Sequence, residues 1–142
     1  MCLEIWVAVS EDDREVFMSA ARTASKYGLC VQLEGCSQRS RNRGGSVRAT
    51  ISDDGSCACG ILSDAADWDA ESWEMRDEMV EPLASTLECL MDQGPRTLVI
   101  EALWAGECAT RELHVDSDEL ARLVRSCGLG TKTRYVVSRR TV

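Results

Sequence analysis

The first 28 residues constrain the fold more than any other stretch. Over residues 2–9 the side chains alternate, with Leu3, Ile5, Val7 and Val9 on one face and Glu4 and Trp6 on the other. That period of two is the signature of a half-buried strand. Ser10-Glu11-Asp12-Asp13 follows, a capping-box pattern in which the Ser10 hydroxyl accepts an orphan amide near Asp13. Val16, Phe17, Ala20, Ala21, Ala24 and Tyr27 then recur at helical spacing as far as Gly28, and glycine readily takes the left-handed conformation that ends a helix. A strand running directly into an amphipathic helix calls for helix-on-sheet packing.

The rest of the chain continues in kind. Leu29, Val31 and Leu33 mark a second strand, and Val47, Ala49 and Ile51 a third. Asp53-Asp54-Gly55-Ser56 has type I′ turn chemistry, so residues 57–62 are expected to return as a hairpin strand. Asp69 is the expected N-cap of a helix that stops before Gly94-Pro95, burying Trp73, Val80, Leu83, Leu87, Leu90 and Met91. Pro82 lies inside that pattern and predicts a kink or a split. A buried strand over residues 96–104, its hairpin partner over 111–115, a short helix capped by Asp116 or Ser117 and a last strand over 131–137 complete the chain.

The expected order is β-α-β-β-β-α-β-β-α-β. It predicts a single α+β domain over residues 1–142, with two layers, a mainly antiparallel or mixed sheet, and helices on one face. An elaborated ferredoxin-like plait is the favoured topology, and the first two strands are candidates for a parallel pair across a right-handed crossover. With 142 residues, such a domain buries roughly two-thirds of its unfolded surface and needs neither disulfide nor metal to fold.

No apolar run approaches the roughly 20 residues that span a bilayer, and the N-terminus lacks the basic and apolar regions of a secretory signal. A cytoplasmic location is therefore expected, with the eight cysteines mainly as thiols. Formal net charge is −8, and residues 53–93 hold twelve acids against one base, Arg76. Such acidity repels phosphates, which disfavours nucleic acid and anionic membranes as partners. The one basic cluster, Arg39, Arg41, Arg43 and Arg48, contains no aromatic for base stacking.

Three functional readings follow. The leading one is a non-catalytic interaction module that docks a protein partner with a basic surface. Its expected contact set is Asp64, Asp67, Trp68, Asp69, Glu71, Trp73, Glu74, Asp77, Glu78 and Glu81, where indoles supply contact area and carboxylates steer encounter. Inhibitors and immunity proteins that mask basic surfaces share this charge logic. Trp73 also fits the core stripe of the helix, and the acids fit its solvated N-terminal surface. The first alternative is thiolate zinc held by Cys30, Cys36, Cys57 and Cys59. On an extended strand Cys57 and Cys59 stand about 6–7 Å apart, so joint ligation requires the backbone to bend between them. In the absence of metal they read as small buried hydrophobes. The second alternative is a thiol-dependent enzyme built on Cys2, or on a thiol beside the sole histidine, His114. P-loop, GxGxxG, GxSxG and HExxH motifs are absent.

Overall fold

The computed structural model describes residues 2–34, 46–55, 57–63, 72–126 and 128–139. Among these residues six strands form one mixed sheet: β1 (Leu3–Ser10), β2 (Cys30–Leu33), β3 (Ser46–Ser52), β4 (Thr97–Trp104), β5 (Arg111–Asp116) and β6 (Thr133–Ser138). Their spatial order is β2-β3-β1-β4-β6-β5. All neighbours pair antiparallel except β5 and β6, which are parallel. Among the described residues three helices, α1 (Arg14–Ala24), α2 (Asp77–Gln93) and α3 (Ser117–Ser126), form the second layer, with α2 packed between the other two.

The first six elements, β1-α1-β2-β3-α2-β4, follow the split β-α-β plan of a ferredoxin-like plait. β5, α3 and β6 extend the sheet beyond β4. Strand alternation sorts the two faces. Leu3, Ile5, Val7 and Val9 of β1, Val47, Ala49 and Ile51 of β3, and Leu98, Ile100 and Ala102 of β4 are buried beneath the helices. Phe17, Ala20 and Ala24 of α1 meet them with Leu83, Leu87 and Leu90 of α2 and Leu120 and Val124 of α3.

Several local expectations are corrected. Ser10 accepts from the Asp12 amide at 3.3 Å rather than from Asp13, because residues 11–13 form a 3-10 turn before α1 begins. Val16 is 40% exposed and leaves the buried stripe. α1 tightens into a 3-10 turn over Ser25–Tyr27 before Gly28 closes it at φ +93°. β1 and β2 are not neighbours, since β3 inserts between them. α2 begins at Asp77, not at residue 69, and continues through Pro82 without a break. Pro82 sits in the second turn, and the Thr86 hydroxyl donates to the Pro82 carbonyl at 2.7 Å. β4 and β5 do not form a hairpin. α3 carries the chain from β5 to β6, which pairs with β5 in parallel and occupies the place beside β4.

Residues 57–62 form no strand. Cys59–Ile61 is a 3-10 turn, and only Leu62 makes an isolated antiparallel bridge, to Met75. This difference creates the site described next.

Candidate thiol site

The 57–62 segment is tied to the start of β1 instead of to β3. The Ala58 amide donates to the Leu3 carbonyl at 2.9 Å, and the Leu3 amide donates to Cys59 Sγ at 3.2 Å. Ala58 and Ile61 are both fully buried beneath this turn, so tertiary burial outweighs the local preference for an extended return strand. The turn closes through Ile61 N to Ala58 O at 3.0 Å and Leu62 N to Cys59 O at 3.2 Å. Its exit is fixed by the Arg76 amide on Ile61 O at 2.9 Å and by Arg76 Nε on Leu62 O at 2.9 Å.

The Asp53 carboxylate lies against Gly60. A Cβ added there would lie 1.8 Å from Asp53 Oδ2, so the Asp53 side chain would have to turn aside to admit a larger residue. Among the described residues, Asp53 Oδ1 is buried with no hydrogen-bond partner.

Because the backbone turns at this point, Cys57 and Cys59 leave the extended spacing and converge on Cys2. The three Sγ atoms lie within 4.8 Å of one another. Cys2 is exposed, whereas Cys57 and Cys59 are half-buried. The Cys2 carbonyl accepts from the Ala105 amide at 2.8 Å, which anchors the backbone of the third ligand candidate at the end of β4. Burial pushes the Cys59 thiol above its ordinary value, and the neighbouring Cys57 and Cys2 push it the same way against the opposing Leu3 N–H. Burial therefore favours the protonated form of the Cys59 thiol. A bound cation would reverse that preference, because the thiolate is the metal-ligating form.

Of the expected four cysteines, Cys57 and Cys59 come together among the described residues. Cys30 pairs with Ser52 in the β2–β3 ladder and is in no thiol cluster among the described residues, and Cys36 lies outside them. Cys2, read from the sequence as a nucleophile, lies beside Cys57 and Cys59. His114 is exposed on β5, where its Nε2 meets Glu112 Oε2 at 3.3 Å. Strands β4 and β6 separate β5 from β1 and from Cys2, so the structure assembles no Cys2–His114 pair.

Five of the ten expected docking residues lie among the described residues. Trp73 is 1% exposed, its Nε1 donates to the Ala102 carbonyl at 3.0 Å, and its ring meets Trp104 edge-on at 5.0 Å. It is a core residue and offers no ring to a partner. Glu81 accepts from Arg125 Nε and Nη2 at 3.0 and 2.8 Å, and Arg125 also pairs with Glu88. That guanidinium holds the Glu81 carboxyl below the usual carboxylate range. Glu74, Asp77 and Glu78 are exposed. Asp64, Asp67, Trp68, Asp69 and Glu71 lie outside the described residues, as do Arg39, Arg41 and Arg43. Arg48 stacks over the Trp6 ring at 4.3 Å on the sheet face opposite the helices, and both line a cleft there of about 400 Å³.

Among the described residues, no helix is long and apolar enough to cross a membrane. Comparison with known protein families, with curated proteins and with solved structures returns no match.

Proposed function

We propose that this protein binds a thiophilic metal ion of the zinc class through Cys2, Cys57 and Cys59. The observation that carries the reading is the convergence of three Sγ atoms within 4.8 Å from segments more than fifty residues apart. Tetrahedral zinc with Zn–S bonds of about 2.3 Å spaces its sulfurs about 3.8 Å apart. The trio therefore needs to contract by about 1 Å at most, within reach of side-chain rotation. The Leu3 N–H on Cys59 Sγ is an outer-shell donor of the kind that orients a ligating group. Three protein ligands leave zinc a fourth position for solvent or another donor, as in its open sites.

Titration of the reduced, metal-free protein with cobalt(II) tests this. The reading expects saturation at one equivalent with a thiolate-to-metal absorption band. That band should be lost in Cys57→Ser and in Cys59→Ser and kept in Cys30→Ser. A band equally intense in all four proteins would defeat the assignment.

A second reading, docking to a protein with a basic surface, draws support from the exposed Glu74, Asp77 and Glu78. Arg76, the base among them, has its Nε on the Leu62 carbonyl. Equal recovery of partners by the native chain and by a Glu74→Gln, Asp77→Asn, Glu78→Gln variant would remove that reading.

A further inference from the structure

We propose that β5 pairs with the β5 of a second copy of this chain, antiparallel about Leu113, so that two sheets join into one across a twofold axis. β5 is an edge strand whose one partner among the described residues is β6. It runs for six residues without proline, whereas the opposite edge, β2, has four. Natural edges of this length are usually blunted by proline, a bulge or charge. Here the charges that would guard the edge match a second copy of it.

The backbone sets the register. The Arg111 amide points inward, to the Lys132 carbonyl at 3.2 Å. Alternation along the strand then turns the N–H and C=O groups of Glu112 and His114 outward. Pairing about Leu113 places Glu112 of one copy opposite His114 of the other. This is the closely hydrogen-bonded kind of antiparallel pair, and the twofold axis makes it twice. The two Leu113 side chains then face each other in the intervening non-hydrogen-bonded pair, where side chains approach most closely. Leu113 is 38% exposed, one of two exposed large hydrophobic residues among those described, and this pairing covers it.

The side chains agree with the backbone. Glu112 and His114 lie on the sheet face away from the helices, beside Arg134 and Val136 in the β5–β6 register. Each copy therefore presents an acid and a base to the other copy's base and acid, the self-complementarity that a twofold interface demands. Because Leu113 pairs with itself, both helical layers fall on the same side of the joined sheet. Arg111 falls opposite Val115 of the other copy, and its Nε and Nη2 lie on Thr133 Oγ1 of its own chain at 3.3 and 3.0 Å.

Sedimentation equilibrium of the full chain, at pH 6.5 and low salt, reads the result. The native chain should give a concentration-dependent dimer mass. His114→Glu sets like charges opposite one another twice and should weaken the dimer about tenfold, on the scale of cross-strand charge pairs counted twice. Glu112→His combined with His114→Glu exchanges the partners and should restore it. Leu113→Lys should abolish it, with circular dichroism confirming that each variant is folded. A native chain of monomer mass at every soluble concentration overturns the proposal, as does a His114→Glu variant that dimerises as tightly as the native chain.

Discussion

Replacing Trp73 with alanine discriminates between a core tryptophan and a docking tryptophan. The ring is 1% exposed, so truncation removes a fully buried bicyclic side chain and opens a cavity. Trp→Ala changes in cores cost roughly 3–5 kcal/mol. The Nε1–Ala102 hydrogen bond at 3.0 Å accounts for about 1 kcal/mol of that, and the edge-on contact with Trp104 at 5.0 Å for about 0.5–1.5 kcal/mol. These two features place the expected loss near the top of the range, about 4–5 kcal/mol. Trp73→Phe keeps most of the apolar area but loses the donor, so about 1–2 kcal/mol is expected. Urea unfolding followed by circular dichroism gives both values from the midpoint at constant slope. An alanine variant within about 0.5 kcal/mol of the parent, the range of ordinary surface changes, would refute the reasoning and return the ring to the surface.

Three more outcomes follow from the packing and the thiols. At Gly128, where φ is +81°, an added Cβ would stand 2.2 Å from the Trp73 carbonyl oxygen. Gly128→Ala should therefore destabilise by about 1–3 kcal/mol in the same urea assay, and a neutral result would contradict the close approach. Cys59 and Cys89 both have thiols raised above their ordinary values, chiefly by burial. Their contribution to stability is complete below the unfolded-state thiol pKa and declines as pH rises through it, so the metal-free protein should lose melting temperature above about pH 8.5. Metal binding displaces thiol protons and should instead tighten between pH 6 and pH 8. Flat profiles in both measurements would contradict the placement of these thiols.

How far the sequence revealed the structure depended on the range of the forces involved. The β1–α1 opening was legible because alternation, cap and terminal glycine all act within a few residues. The plait followed from the order of elements, and Asp116 proved to be the cap of α3, its Oδ1 accepting from the Glu119 amide at 2.8 Å. The larger failures are cases where distant parts of the chain decide. Residues 57–62 follow a hairpin's turn chemistry, yet Leu3 supplies both hydrogen bonds that hold Ala58 and Cys59, and nothing local reports Leu3. β5 follows β4 closely in sequence and so resembled its hairpin partner. The helix after it was the available signal, since a strand-helix-strand unit supports parallel pairing.

The thiol site shows the same division. Cys2, Cys57 and Cys59 were each singled out by residue type, but Cys2 entered as a nucleophile and the other two as partners of Cys30 and Cys36. Spacing along the chain does not bring residue 2 to residue 57; the 3-10 turn does. Trp73 carried both its readings in the sequence, and the Ala102 carbonyl, 29 residues away, decides between them.

X-ray absorption at the zinc edge of the loaded, reduced protein tests the metal site most directly, because it counts the sulfurs around the ion. Three sulfurs at about 2.3 Å and one lighter donor are predicted, falling to two sulfurs in Cys59→Ser. A shell of oxygen and nitrogen alone, or a sulfur count unchanged in Cys59→Ser, would contradict the assignment.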